Sequence, residues 1–182
     1  MKEDKYLDNA PQKIEELYEE GKEKINIGEE TEGEKILKRI LDRDETFVPA
    51  LNKLAVLKIH EDEIKKARQH IDRALEIDPE FPPALNNKGN LLKEKGNKQK
   101  AIELYEKAID IDPDYGPAYN NLGVIKREAG EYKESIKYLK KARKKGTISL
   151  KKTDKPIYKD PGCMFPIGLA VLLILLTLMW VL

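Results

Sequence analysis

The dipeptide Asp78-Pro79 recurs 34 residues further on as Asp112-Pro113, and many other positions repeat at the same distance. A fixed period of this length indicates stacked copies of one small structural unit, and it constrains the fold more than composition does. Aligned on this period, the chain contains four successive units, at 14–47, 48–81, 82–115 and 116–149. We therefore predict a repeat domain over 14–149, preceded by an N-terminal flank over 1–13.

Each unit is predicted to form two helices. In the third unit, apolar residues recur at three- and four-residue steps, which is typical of helices with one buried face. Gly96 separates the two runs, and glycine readily adopts the left-handed conformation that ends a helix. Proline disfavours the helical conformation in the residue before it, so the second helix should stop before Pro113. The pattern predicts a first helix from about Pro83 to Lys95 and a second helix that ends near Ile111.

Small and large residues occupy fixed places in these units. In the third unit they are Leu85, Gly89, Leu92, Ala101, Tyr105, Ala108 and Pro113. This pattern resembles the tetratricopeptide repeat (TPR) family, and the second and fourth units match it as well. The resemblance implies an all-α superhelix of about four helix-turn-helix repeats. The departures fall mainly in the end units, where Ile40 replaces a small residue and Gly146-Thr147 replaces the closing proline; terminal repeats cap such a stack.

By this resemblance, the first helices of the units line a concave groove. Asparagine is unfavourable inside helices, so its recurrence there indicates a use. Each amide offers an acceptor and two donors, which suit the backbone of an extended partner peptide. The asparagines could instead bond neighbouring helices, and the sequence leaves both interpretations open. The predicted groove residues are Asn52, Asn86, Asn87, Asn90, Asn120, Asn121, Lys93 and Arg127.

The C-terminal segment 164–182, MFPIGLAVLLILLTLMWVL, contains no charged side chain. Nineteen residues at ~1.5 Å each give a helix of ~28 Å, close to the ~30 Å hydrocarbon core of a bilayer. Pro166 suits the first turn of such a helix, and Trp180 suits the lipid–water interface. We therefore predict a transmembrane helix over 164–182, joined to the repeats by a basic juxtamembrane linker over 150–163. The lipid bilayer is thus one predicted partner.

The charges before this segment predict its orientation. Residues 137–159 contain ten Lys or Arg and a single acidic residue, Asp154. Positive flanks stay in the cytoplasm, so we expect a single-pass, tail-anchored protein with its repeat domain cytoplasmic. The basic run either contacts anionic lipids or serves as a solvated linker. The abundance of Lys, Glu and Ile favours a prokaryotic plasma membrane.

No pattern typical of catalysis occurs in the chain. It has one cysteine and two histidines, which excludes a disulfide framework and a Cys-rich metal site. The carboxylates near His60 have the wrong spacing for zinc, and phosphate-binding or nucleophile motifs are absent from the sequence. With 34 Lys and Arg against 33 Asp and Glu, nothing in the overall charge favours nucleic acid. We therefore expect no enzymatic activity, no cofactor, no metal and no nucleic-acid partner.

These observations predict a membrane-anchored cytoplasmic TPR module that binds other proteins. It would act as a scaffold or recruitment factor and hold an extended segment of a partner polypeptide in its concave groove. The alternative is a self-associating structural component of a membrane-bound assembly, in which case the chain would form homo-oligomers.

Overall fold

The computed structural model describes residues 11–145, which form eight α-helices. The helices are α1 (Pro11–Asn26), α2 (Glu30–Arg43), α3 (Val48–His60), α4 (Ile64–Ile77), α5 (Pro82–Glu94), α6 (Lys98–Ile111), α7 (Gly116–Glu128) and α8 (Tyr132–Lys144). They pack as four successive helical hairpins, α1 with α2 through α7 with α8. The predicted all-α repeat fold is therefore confirmed, although α1 begins within the predicted N-terminal flank.

No helix within 11–145 is both long enough and apolar enough to cross a bilayer. The predicted transmembrane helix over 164–182 and the basic linker over 150–163 lie outside the described residues.

The turn inside each hairpin uses one left-handed residue at the same place in every unit. These residues are Gly28 (φ 90°), Asp62 (φ 60°), Gly96 (φ 82°) and Gly130 (φ 78°). After the third of these turns, the Asn97 N–H donates to the Leu92 carbonyl over 2.9 Å, so the reversal satisfies a carbonyl at the end of α5. Asparagine and aspartate tolerate this conformation better than other side chains do, which explains how Asp62 can replace glycine.

The link between successive hairpins depends on aspartate. Asp78 ends α4 in an extended conformation, and its Oδ1 accepts a hydrogen bond from the backbone N–H of Glu80 at 2.9 Å. Asp112 ends α6 in the same way and accepts from the N–H of Asp114 at 2.9 Å. These side chains form the local turns for which aspartate is favoured, so the recurring Asp-Pro dipeptide marks a turn and a helix stop together.

Small residues let the two helices of a hairpin approach closely. A Cβ atom added to Gly89 would lie 2.5 Å from the ring of Tyr105, and one added to Gly123 would lie 2.8 Å from the side chain of Leu139. The side chains of Ala101 and Ala108 are completely buried on α6. The hairpin therefore closes around residues with little or no side chain.

The hydrophobic core continues from unit to unit. One buried cluster joins Leu37 and Ile40 of α2 to Leu54 of α3, and another joins Tyr105 of α6 to Leu122 of α7. Helix α3 also contacts α5, and α5 contacts α7, whereas successive second helices within the described part make no comparable contact. The stack therefore curves with its first helices on the inside, and we call the surface formed by α3, α5 and α7 the inner face.

A network of charged side chains reinforces the boundary between the first two units. The ammonium of Lys58, which is 7% exposed, lies 2.7 Å from a carboxylate oxygen of Glu34 on α2 and 2.7 Å from one of Glu61. Burial would lower the pKa of Lys58, but the hydrogen bonds to these carboxylates raise it above its usual value. The lysine is therefore charged, and its ion pair with Glu34 links one unit to the next.

Candidate peptide-binding site on the inner face

Asparagine side chains bridge adjacent first helices at two equivalent places. Asn87 Nδ2 on α5 donates to Asn52 Oδ1 on α3 at 2.9 Å. Asn121 Nδ2 on α7 donates to Asn86 Oδ1 on α5 at 2.8 Å. In both cases the fifth residue of one unit accepts from the sixth residue of the next. We call these two contacts the asparagine bridges, and they show that amides on the inner face do bond neighbouring helices.

A second acceptor strengthens the bridge between α5 and α7. Asn90 Oδ1 accepts from Asn121 Nδ2 at 2.9 Å and from the Tyr105 hydroxyl at 2.8 Å. Burial, followed by the charge of Glu94, raises the pKa of Tyr105, so its hydroxyl remains a donor at physiological pH. Tyr105 therefore fixes the orientation of an inner-face amide from inside the core. The apolar pattern of the sequence predicts Tyr105 in the core only, although a buried hydroxyl among aliphatic positions requires a hydrogen-bond partner.

The predicted groove residues fall into two groups. Five of the six asparagines lie in the bridges or against them, and Asn86 is buried, with 5% of its surface exposed. Asn120 occupies the accepting position of the last unit, but no fifth unit follows among the described residues, so its amide has no counterpart to bridge to.

Lys93 and Arg127 form the second group, at the far ends of α5 and α7. Both act on Glu128, whose pKa is lowered first by a 2.8 Å hydrogen bond from Lys98 and then by the charges of Lys98, Lys93 and Arg127. These two cations therefore lie in a mixed-charge region, away from the asparagine bridges.

Lys53 is a further cation on the inner face, outside the set of predicted groove residues. It follows Asn52 on α3 and is half-buried. Burial, followed by the charge of Lys22 on α1, lowers the pKa of Lys53. Lys22 is itself ion-paired with Glu19 at 2.7 Å, whereas Lys53 has no carboxylate partner among the described residues. Lys53 is therefore the cation at this end of the inner face that an acidic side chain could neutralise.

The arrangement can bind a peptide without dissolving the bridges. A primary amide has two N–H donors and an oxygen with two lone pairs. Asn87 uses one of its donors in its bridge, whereas Asn121 uses its amide nitrogen for two acceptors and keeps its oxygen as an acceptor. The bridges also hold the amides in fixed orientations, which reduces the entropy lost on binding. The described part of the chain contains no group of three or more potential metal ligands.

Comparisons with known proteins agree with this geometry. Tetratricopeptide repeat profiles match residues 48–81, 82–115 and 104–137. No match was found among curated protein sequences. Among solved structures, the crystal structure of MamA is 31% identical, with a TM-score of 0.56, and the match covers 79% of this chain and 84% of that chain.

Two further solved structures share the fold. PilF of Pseudomonas aeruginosa is 22% identical with a TM-score of 0.62, over 72% of this chain and 60% of that chain. The O-GlcNAc transferase of Thermobaculum terrenum is 26% identical with a TM-score of 0.57, but the match covers only 22% of the transferase chain. That likeness gives no ground for transferase activity here, and TPR proteins are typically non-enzymatic protein-interaction modules. The present chain belongs to the tetratricopeptide repeat family.

Proposed function

We propose that this protein is a membrane-anchored TPR module that recruits a partner protein by binding an extended segment of it on the inner face. The observation that carries the proposal is the row of oriented amides across α3, α5 and α7. Such a row offers donors and acceptors at successive first helices. An extended backbone needs both, because its own N–H and C=O groups are unpaired.

The amides would supply affinity with little dependence on the partner's side chains. Each hydrogen bond to a peptide contributes a net ~0.5–1.5 kcal/mol, so several are needed for useful binding. Charged residues would orient the bound segment. Lys53 lies on α3 at one end of the inner face, and the mixed charges of Lys93, Arg127 and Glu128 lie at the ends of α5 and α7. The proposed partner is therefore a flexible segment with an acidic side chain at one end.

The membrane part of the proposal rests on the sequence of residues 164–182. Their length and the absence of charge suit a single transmembrane helix, and the ten Lys or Arg of 137–159 suit a cytoplasmic flank. A recruitment factor with this topology would concentrate its partner at the plasma membrane, on the cytoplasmic side. The role would be that of a scaffold.

A photo-cross-linking amino acid tests the inner face directly. We would incorporate it in cells at position 120, where the amide has no bridge, and at position 127. The matched control is position 103, which is exposed on the second helix α6. The proposal expects one protein to be captured from both inner-face positions and not from the control position. Equal capture from position 103, or no capture from either inner-face position, would contradict it.

Fractionation tests the membrane anchor. The full-length protein should remain with membranes after carbonate and high-salt washes, whereas a chain that ends at Lys159 should be released. Protease added to the cytoplasmic side should digest the repeat domain. Release of the full-length chain by salt would show surface adsorption, and protection from cytoplasmic protease would overturn the proposed orientation.

A further inference from the structure

Successive units pack against each other through equivalent positions at each boundary. On the first helix of the second unit, Ala50, Leu54 and Leu57 are buried against α2. The second helices contribute an apolar residue at a constant place, occupied by Leu41, Leu75 and Ile109 in turn. Positions 34 residues apart therefore meet equivalent partners at each internal boundary. In the first and last units, the residues at these positions form the two end surfaces of the described stack.

The first unit presents carboxylates at the places where the second unit buries apolar side chains. Glu16, Glu20 and Glu23 stand 34 residues before Ala50, Leu54 and Leu57, and all three are exposed on α1. They line an open cleft with the aromatic rings of Tyr18 and Phe47. We call Glu16, Glu20 and Glu23 the head face.

The last unit presents cations and one apolar residue at the complementary places. Arg143 stands where Leu41, Leu75 and Ile109 pack in the earlier units, and it is exposed. Lys140, also exposed, lies one turn before it on α8. Ile136 corresponds to the half-buried Ile102, yet 54% of its surface is exposed. We call Ile136, Lys140 and Arg143 the tail face.

An internal ion pair shows that two of these places meet when units stack. Asp72 on α4 and Lys88 on α5 form an ion pair at 2.8 Å across the boundary between the second and third units. Lys140 occupies in the fourth unit the position that Asp72 occupies in the second. Glu20 occupies in the first unit the position that Lys88 occupies in the third. A second copy stacked in the same register would therefore bring Lys140 of one chain to Glu20 of the next, with the two signs exchanged.

We propose that the tail face of one copy of this chain binds the head face of a second copy, so that the stack continues from chain to chain. Both faces have the same four- and three-residue spacing along their helices, Glu16–Glu20–Glu23 against Ile136–Lys140–Arg143. Terminal repeats need polar outer faces for solubility. Solubility alone does not require acidic residues at one end of the stack and basic residues at the other. Two different faces make a heterologous contact, which builds an open row rather than a closed pair.

The row would leave the asparagine bridges intact and would engage one residue of the proposed peptide site, Asn120, so association between copies can be tested without the peptide partner. The register places the unbridged Asn120 of one copy beside Glu19 of the next, since the fifth residue of each unit faces the sixth residue of the following unit. The Glu19 carboxylate can accept a hydrogen bond from the amide N–H of Asn120, which would otherwise donate to water.

Sedimentation velocity on the full-length protein in a non-ionic detergent tests the contact. The average mass should rise with protein concentration at ~0.01 M ionic strength and fall towards the single-chain mass at ~1 M, where exposed charges are screened. Glu20→Lys alone and Lys140→Glu alone should each weaken association about tenfold, since each turns an attraction into a repulsion. Both changes in one chain should restore it. The matched control Glu103→Lys, on the exposed surface of α6, should leave association unchanged.

Two results would overturn the inference. One is a chain that stays monomeric at every concentration. The other is association that both single charge reversals leave intact, which would place the contact elsewhere, for example in residues 164–182. Helical circular dichroism of each variant, equal to that of the unchanged chain, shows that a lost contact is not a lost fold.

Discussion

The amide of Asn87 donates to Asn52 across 2.9 Å, from the sixth residue of one unit to the fifth residue of the unit before it. Asn121 makes the equivalent bond to Asn86 and a further one to Asn90. The inner-face amides therefore have a structural role, and the proposed binding role must be measured separately from it.

Replacing Asn87 and Asn121 together by alanine should lower both stability and partner binding. Each lost bridge costs ~0.5–1.5 kcal/mol, offset in part because alanine gains ~0.5 kcal/mol of helix propensity over asparagine. Asn121 has two acceptors, so Asn121→Ala should lower the thermal midpoint more than Asn87→Ala does. The lost amide contacts should also weaken binding of the partner protein identified by cross-linking, by about tenfold, which corresponds to ~1.4 kcal/mol.

Asn120→Ala is the matched control, because Asn120 has no bridge. Its thermal midpoint should stay constant or rise slightly, while partner binding weakens. If binding survives in all four variants while the midpoints of the Asn87 and Asn121 variants fall, the asparagines are structural and the peptide-binding proposal should be withdrawn.

The Glu34–Lys58 ion pair predicts a loss of stability in acid. The hydrogen bond from Lys58, followed by that from Lys38, holds the pKa of Glu34 below its usual 4.5. A lowered folded-state pKa stabilises the fold above the unfolded value, and this contribution disappears as pH falls through the lowered pKa. Glu34→Gln should therefore lower the free energy of unfolding at pH 7 by ~1.5–3 kcal/mol, the range for a charged hydrogen bond.

Urea unfolding of both chains at pH 7 and at acidic pH measures this effect. The difference between the chains should shrink once the Glu34 carboxylate is protonated. A difference that is independent of pH would mean that Glu34 acts through packing and not through its charge.

His70 gives a second pH dependence in a different window. It lies half-buried on α4, and burial, followed by the charge of Lys58, lowers its pKa from 6.5. The unfolded chain therefore binds the proton more readily, so stability rises with pH through this range and falls below about pH 6.5. Leu104 occupies the equivalent position of the third unit, so leucine is a suitable replacement. His70→Leu should remove this part of the dependence of stability on pH. Thermal midpoints at pH 5.5 and 7.5 test it, and an unchanged slope would contradict it.

Two glycines should respond differently to the addition of one methyl group. In Gly89→Ala the new Cβ meets the Tyr105 ring at 2.5 Å, and that ring is also held by the hydrogen bond from its hydroxyl to Asn90. Overpacking costs ~1–3 kcal/mol, of which alanine recovers ~1 kcal/mol as helix propensity. In Gly123→Ala the new Cβ meets Cδ2 and Cγ of Leu139 at 2.8 Å and its backbone N at 3.3 Å, and this longer approach should make the substitution cost less. Equal thermal midpoints for the two variants would contradict this account.

The helix ends could be predicted from the sequence because their signals are local. The predicted first helix of the third unit, from about Pro83 to Lys95, occupies Pro82–Glu94, and the second helix ends at the predicted Ile111. Glycine, aspartate and proline act within a few residues of themselves, so one unit contains all the information that its turns need.

The bonding of the asparagines could not be predicted in the same way. The period aligns Asn52 with Asn86 and Asn120, as equivalent positions, yet Asn52 bonds to Asn87. That diagonal pairing depends on how far one hairpin is displaced against the next, which a repeat period does not reveal. The burial of Lys58 was equally hidden, because its charge is neutralised by Glu34 from a different unit.

The asparagine bridges also have a consequence for how such a protein can evolve. Each bridge joins a fifth residue to the sixth residue of whichever unit follows, so removal of 82–115 would bring Asn52 to Asn121 with the same pair of side chains. Whole units are therefore interchangeable parts along the row of amides. Gene duplication or deletion in steps of 34 codons would lengthen or shorten the recognised segment, while each remaining joint keeps its chemistry.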